Sequence, residues 1–189
     1  MSNNAKLFVI SAPSGTGKST VIDAVMKELP RLKKPISYTT RRPRPGEKNG
    51  VDYNFVSVVE FENMKEQGKF LEWANVYGNM YGTSLKTVKS SLTSGNFLLK
   101  DIDTQGALQL KKKLGDNAVL IFIEPPTLQE LENRIRQRAC DSEQQIKTRL
   151  DNAKKEMSEA SKYDHVIIND ELKNAVNGLK KIISGYMPL

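Results

Sequence analysis

Leu7-Phe8-Val9-Ile10-Ser11-Ala12-Pro13-Ser14-Gly15-Thr16-Gly17-Lys18-Ser19-Thr20 runs from an apolar stretch through a glycine-bearing turn to a lysine followed by two hydroxyl residues. This order predicts a buried strand over about 6–11, a tight loop and a helix opening near Gly17. The helix is expected to reach Leu29, with Val21, Ile22, Val25 and Leu29 on one face and Pro30 ending it. Loop amides and the first turn of a helix leave N–H groups without backbone partners, so together they form a seat for an anion. Lys18 adds a point charge for the outer phosphates, and the Ser19 hydroxyl suits a magnesium ion. The cradle therefore comprises Ala12, Pro13, Ser14, Gly15, Thr16, Gly17, Lys18, Ser19 and Thr20. The strict pattern has glycine at the first of these positions. Ala12 suits the turn only at negative φ, and its methyl narrows the approach to a phosphate.

At 189 residues the chain fits one unit with room for a small insertion. Its 38% apolar and 27% charged content is that of an ordinary water-soluble protein. A single cysteine, Cys140, excludes an internal disulfide and fits a reducing compartment. The N-terminal residues are polar and the apolar run after them is short, which reads as neither a signal peptide nor a membrane span. A cytoplasmic enzyme with no membrane partner is expected. The formal charge of +7 is spread along the chain, with local clusters at Arg41-Arg42-Pro43-Arg44 and at Arg134, Arg136 and Arg138. Two local clusters suit small anions such as nucleotides, so nucleic acid is not an expected partner.

Beyond the cradle, apolar runs alternate with amphipathic stretches, which predicts an α/β fold with a mostly parallel sheet. Strands are expected at Ile36–Thr40, Tyr53–Val56, Phe70–Tyr77, Phe97–Ile102, Ala118–Ile123 and His165–Ile168. Helices are expected at Val59–Gln67, Gln105–Leu114, Thr127–Gln137, Gln145–Ala160 and Leu172–Ile183, with a turn at Asn79–Thr83. Residues 53–85 lack the rhythm of a parallel crossover and read as a small α/β insertion. Lys100 is a conflict, because an ammonium inside an apolar strand must snorkel, pair with a carboxylate or lie near phosphate. Trp73 is expected in the core of the insertion, His165 in a structural role, Cys140 as an exposed thiol, and Lys111-Lys112-Lys113 as a solvated helix end.

A second set of residues collects at predicted strand ends and turns: Ser37, Arg41, Arg44, Tyr53, Glu72, Tyr81, Thr83, Asp101 and Asp103. Their context resembles guanylate kinase closely. The matching pieces are Ser-Tyr-Thr-Thr-Arg-Arg-Pro-Arg-Pro-Gly-Glu (37–47), Gly-Val-Asp-Tyr-Asn-Phe (50–55) and Phe-Leu-Glu-Trp-Ala (70–74). Gly-Asn-Met-Tyr-Gly-Thr (78–83), Asp-Ile-Asp-Thr-Gln-Gly-Ala (101–107), Ile-Glu-Pro-Pro-Thr (123–127), Arg-Ala-Cys-Asp-Ser-Glu (138–143) and Val-Ile-Ile-Asn-Asp (166–170) follow in order.

The resemblance covers about residues 6–183. It implies a three-layer P-loop NTP-hydrolase-type fold with a five-stranded core sheet. A core at 1–36 and 96–189, a helical lid near 134–150 and a GMP-binding insertion at 37–95 go with it. Hinges are expected near Pro35, Asn96 and Arg138. The activity implied is ATP-dependent phosphorylation of GMP with Mg²⁺. Residues matching Arg41, Arg44, Tyr53 and Tyr81 hold the GMP phosphate in this family, and those matching Ser37, Glu72, Thr83 and Asp103 read guanine. Lys18 is assigned to the donor phosphates, and Arg134, Arg138 and Arg149 to closing over the ATP phosphates. Arg42, with Arg138 and Arg149, is assigned to bridging to the transferred group, and Asn169 and Asp170 to the ATP adenine. Lys18, Arg42, Arg138 and Arg149 make up the expected catalytic set. Ser19 is the expected Mg²⁺ ligand, with Asp101 acting through a water. The chain departs from the family pattern at Ala12, at Ala139-Cys140 after the lid arginine, and at Lys100.

Two rivals compete with this reading. One is a guanylate-kinase-like scaffold that binds a phosphorylated peptide, which an intact cradle disfavours. The other is a kinase acting on a different phosphorylated ribose compound, which Glu72 and Asp103 disfavour. Oligomeric state and use of dGMP stay open.

Overall fold

The computed structural model of the chain describes residues 5–76, 78–137 and 142–187. Its first half runs β1 (Leu7–Ser11), α1 (Lys18–Glu28), β2 (Leu32–Lys33), β3 (Tyr38–Thr39), β4 (Asn54–Phe55), α2 (Val58–Glu66), β5 (Phe70–Val76), β6 (Asn79–Ser84) and α3 (Leu85–Thr93). The second half is β7 (Phe97–Asp101), α4 (Thr104–Leu114), β8 (Ala118–Glu124), α5 (Leu128–Gln137), α6 (Glu143–Ser158), β9 (His165–Ile168) and α7 (Leu172–Tyr186).

Five strands form one sheet in the order β2-β7-β1-β8-β9, and every pairing in it is parallel. Side chains of a strand alternate between faces, and β1 feeds two different cores accordingly. Phe8 and Ile10 pack with α1 and α7 through Val21, Ile22, Val25, Val176 and Leu179. Leu7 and Val9 pack on the opposite face with Val88 and Leu92 of α3 and Leu110 of α4. Helices thus cover both faces of the sheet, giving three layers. The strand order sends β1 to the centre, so the loop after it opens at the C-terminal edge of the sheet, where ligands of such folds bind.

The second sheet has the order β4-β3-β6-β5, with β3 parallel to β4 and the other pairs antiparallel. It has a core of its own, Phe61 of α2 with Phe70 and Met80, and the two phenylalanine rings stack at 4.4 Å.

Several expectations are corrected. Asn79–Thr83 is not a turn but most of β6; the chain reverses upstream, where Asn75 Oδ1 accepts the Gly78 N–H at 3.0 Å. The strand expected at 36–40 shortens to Tyr38–Thr39 and lies in the second sheet, while Leu32–Lys33, unread, pairs with β7 in the first. Helix α3 was also unread, because its serines and threonines are poor helix formers. Its signal lies in the Ser84 cap, which accepts the Thr87 N–H, and in Val88 and Leu92 four residues apart.

Trp73 is not core: it is 44% exposed, with Lys65 Nζ 4.2 Å from its ring centre. Alternation does turn it away from Glu72, but the far side of β5 is only partly covered. The lysines ending α4 are not simply solvated. Lys111 Nζ donates to Ala118 O and to Asp164, and Lys113 Nζ donates to Leu71 O at 2.5 Å. His165 is structural as expected, its Nε2 3.0 Å from Tyr186 Oη. Cys140, Ala139 and Arg138 lie outside the described residues. Among the described residues no helix is long and apolar enough to cross a membrane.

Candidate active site

The loop from Ser11 to α1 is shaped by its own backbone. The Thr16 N–H closes on Pro13 O at 3.2 Å, and Gly17 caps α1 at φ 94°, a left-handed conformation that a side chain resists. A cavity of about 340 Å³ results, lined by Ala12, Pro13, Ser14, Gly15, Gly17, Lys18, Ser19 and Thr20 with Asp103 and Glu156. Ala12 both lines it and packs against the α1–α7 core.

Burial pushes the Lys18 ammonium below its ordinary pKa of 10.5, and the carboxylates of Asp101, Glu156 and Asp103 oppose that shift. Glu156 is pushed up, mainly by burial, with Lys18 opposing and Asp103 adding. The seat thus pairs a partly desolvated cation with open amides, which favours a polyanion. Asp101 is exposed at the C-terminal end of β7.

A second cavity of about 490 Å³ adjoins the first, lined by Gly15, Thr16, Gly17, Thr20, Arg134, Gln137, Asn169, Asp170 and Leu172. The two residues expected at the adenine, Asn169 and Asp170, meet here with Arg134, the one expected at the phosphates. Buried Asn169 donates through Nδ2 to Thr16 O at 2.6 Å, and Arg134 Nη1 donates to Asn169 O at 3.1 Å. Arg134 Nη2 reaches Asp170 O at 3.4 Å, while its Nε is held by Glu130. A Cβ on Gly17 would lie 2.9 Å from Asn169 Nδ2, so this clip is closed against any side chain there. Asn169→Ala is expected to cost about 1–3 kcal/mol of stability, read by denaturant unfolding, because the buried Thr16 carbonyl loses its donor. Arg149 Nη2 donates to Ser14 Oγ at 2.9 Å, joining α6 to the cradle.

The other predicted set assembles on the second sheet. On β6, Met80 and Gly82 face the Phe61–Phe70 core, so Tyr81 and Thr83 face the opposite way. Glu72 of β5 stands opposite Thr83 and is only 8% exposed. Thr83 Oγ1 donates to Glu72 Oε1 at 2.5 Å, and Ser37 Oγ lies 3.5 Å from Thr83 Oγ1. Three buried oxygens of the predicted base reader therefore share one pocket. Asp103 is placed elsewhere: it caps α4 through Oδ1 to the Gly106 N–H at 2.7 Å and lines the cradle.

Arg41 Nη2 is held by Glu47 Oε1 at 2.8 Å, with its guanidinium over the Tyr53 and Phe55 rings and hydrogen-bonded to Tyr81. Tyr53 and Tyr81 rings meet edge to face at 6.0 Å. Arg42 and Arg44 are exposed beside this cluster. The arrangement joins two cations and two phenols, a donor set that fits a phosphate dianion.

Two residues are not legible in the sequence, Glu47 and Glu156, and a third, Lys100, is legible without its partners. Glu47 braces both Arg41 and the Arg44 N–H, which hold its carboxyl below the usual range. Its place three residues after Arg44 across Pro45-Gly46 was the available signal. Glu156 comes from a remote helix, and no local pattern marks it. Lys100 was seen, but its partners are Ser37 and Glu72.

Comparison with known proteins agrees with this geometry. The family model described as guanylate kinase matches residues 4–186. A guanylate kinase of Desulfotalea psychrophila is 50% identical over 181 residues, spanning 96% of this chain and 89% of that one. Another, of Geobacter metallireducens, is 44% identical over 97% of this chain and 90% of its own. The crystal structure of guanylate kinase from Anaplasma phagocytophilum superposes with a TM-score of 0.71 at 32% identity, covering 96% of this chain and 85% of that one. With the cradle, the buried carboxylate pocket and the arginine–tyrosine cluster all in place along one continuous match, the chain belongs to the guanylate kinase family.

Proposed function

We propose that the protein transfers the terminal phosphoryl group of ATP to the phosphate of GMP, giving ADP and GDP, within cytoplasmic purine nucleotide metabolism. The observation that carries this reading is buried Glu72, held by Thr83 beside Ser37. A carboxylate accepts from guanine N1–H and the 2-amino group, and a hydroxyl can donate to O6. Adenine has neither donor, and a desolvated carboxylate left unpaired rejects it steeply, on the order of 10⁴-fold. Arg41, Arg44, Tyr53 and Tyr81 bind the acceptor phosphate, and Asp103 borders the two seats.

On the donor side the cradle amides, Lys18 and Arg134 hold the ATP phosphates, and Asn169 and Asp170 border the adenine. Arg42 and Arg149, with Arg138, screen the two approaching anions; transfer then needs positioning and charge neutralisation more than covalent work. Closing over the nucleotides also excludes water, which would otherwise take the phosphoryl group.

Among the described residues no cluster of three or more histidine, cysteine or acidic side chains suits a metal. Mg²⁺ needs none, since it keeps several waters and takes one or two protein oxygens beside substrate phosphates. The Ser19 hydroxyl on the cradle wall fits that donor set, and Asp101, whose charge acts on Lys18, would accept from one of the ion's waters. Bound there, Mg²⁺ supplies charge neutralisation of the phosphate oxygens.

A panel of GMP, IMP, AMP, CMP and UMP with ATP tests the acceptor. GMP is expected to dominate by orders of magnitude; equal turnover of AMP or UMP would end the proposal. The insertion at 37–95 is further proposed to swing toward the core at 1–36 and 96–189, with the lid following. Small-angle scattering should then register compaction with saturating GMP and ATP, and an unchanged radius of gyration would count against the motion.

A further inference from the structure

Lys100 belongs to β7, an interior strand of the parallel sheet, in register with Val9 of β1. Neither nucleotide seat as drawn so far needs it, and an ammonium leaving an apolar strand must be compensated. Its compensation lies on the other sheet. Lys100 Nζ is 3.0 Å from Ser37 Oγ and 3.6 Å from Glu72 Oε1, and both side chains of the ion pair are largely buried.

The directions of these hydrogen bonds follow from which atoms carry hydrogen. An ammonium has three donors and no acceptor, so Ser37 Oγ can only receive from it. Thr83 gives its hydrogen to Glu72 Oε1 at 2.5 Å. What Thr83 offers Ser37 is then a lone pair at 3.5 Å, a long and weak contact. The Ser37 proton is thus driven outward from Lys100 and is poorly satisfied by the pocket itself. An oxo group entering beside Glu72 would satisfy it well, whereas an amino group has no lone pair to offer and would leave the Ser37 hydrogen without a good acceptor.

We infer that Lys100 is a specificity-determining positioning residue, which fixes the polarity of the Ser37 hydroxyl so that it donates to the 6-oxo group of the purine and disfavours a 6-amino group. The inference rests on the GMP reading of this pocket. It adds a second discrimination against adenine at a different edge of the base: Glu72 reads the donor edge and the Lys100–Ser37 pair reads the acceptor corner.

The test is steady-state kinetics of Lys100→Met, Lys100→Arg, Ser37→Ala and the Lys100→Met/Ser37→Ala double variant, with GMP, IMP and AMP as acceptors. Losing one buried, charge-assisted hydrogen bond is expected to raise KM for GMP in Lys100→Met about 10- to 100-fold. KM for ATP and kcat should stay within about threefold, which also reports an intact fold. IMP keeps the 6-oxo group and lacks only the 2-amino group, so it should lose the same factor as GMP. The preference for GMP over AMP should narrow.

Lys100→Arg retains charge and donor and should stay within about fivefold of the unsubstituted protein. The double variant should fall short of the product of the two single losses by at least about threefold, because one residue acts through the other. A methionine variant with unchanged KM for GMP, an arginine variant as impaired as methionine, or multiplicative single losses would each overturn the inference while leaving GMP as acceptor. Failure of the unsubstituted protein to phosphorylate GMP would remove both.

Discussion

Lys18→Met is expected to lower kcat for phosphoryl transfer by on the order of 10³-fold, the range seen when one preorganised donor to a developing charge is removed. GMP affinity, measured at equilibrium without ATP, should stay within about twofold, because Glu72 and Thr83 belong to the other sheet and Ser37 immediately precedes its strand β3. The same substitution should raise the unfolding midpoint at neutral pH. Burial holds the folded-state pKa of Lys18 below 10.5 despite Asp101, Glu156 and Asp103. Folding therefore bears the full cost of the ammonium below that lowered pKa. As pH rises through it toward 10.5, the folded state sheds the proton before the unfolded chain does, and the cost fades. The stability advantage of Lys18→Met should accordingly be largest near neutrality and shrink in alkaline solution. Thermal unfolding across pH checks this, and an advantage that grows with pH would contradict the assignment of burial as the dominant cause. An inactive variant more stable than its parent is what a charge kept for chemistry predicts.

Glu72→Gln is expected to lower kcat/KM for GMP on the order of 10³- to 10⁴-fold while leaving KM for ATP within about twofold. The substitution keeps the shape of the side chain and replaces one acceptor oxygen with an NH₂ donor. In a pocket where Thr83 already gives its hydrogen to Oε1, whichever way the amide turns, it presents a donor either to Thr83 or to the ligand. Turned toward the ligand, it meets N1–H and the 2-amino group with a hydrogen where they need a lone pair; turned toward Thr83, it loses the hydrogen bond that orients the side chain. The GMP-to-IMP ratio should fall as well, since the 2-amino group loses its acceptor. Initial-rate kinetics with each nucleotide varied separately decides this; equal losses for GMP and ATP would mean that Glu72 supports the fold and not the base.

The core architecture was legible because its signals are local. An apolar run before Gly-Thr-Gly-Lys-Ser fixes a strand, a loop and a helix within 20 residues, and the near-continuous apolar stretch Ala118–Ile123 can only be a strand buried on both faces. The second sheet was harder. Its strands β3 and β4 have two residues each, too few for a period to register, and β6 was obscured by Gly82, whose missing side chain makes room for Phe70. At the site, residue types were readable and partnerships were not. Arg41 and Tyr81 stand out in sequence, but the brace that Glu47 supplies depends on a turn. The approach of Glu156 to Lys18 depends on how α6 crosses the cradle. Lys100 shows the limit best: the conflict was visible in one strand, and its resolution lies in another sheet altogether.

Helices α5 and α6 bury Leu131, Ile135, Ile146 and Ala153, with Leu150, in a cluster distinct from both sheet cores. Beside the polar contact of Arg149 with Ser14, that cluster packs against the cradle at Gly15. A Cβ on Gly15, at φ 99°, would lie 3.0 Å from Ile135 Cγ1 and 3.3 Å from Leu131 Cδ1. The pair therefore has a core of its own and rests on the cradle where only a hydrogen atom fits. A tilt of the pair would carry the amides around Gly15 with it, and release of nucleotide would then be coupled to uncovering of the cleft. In backbone hydrogen exchange the two helices are expected to open as a single cooperative unit, more readily than the sheet they lean on.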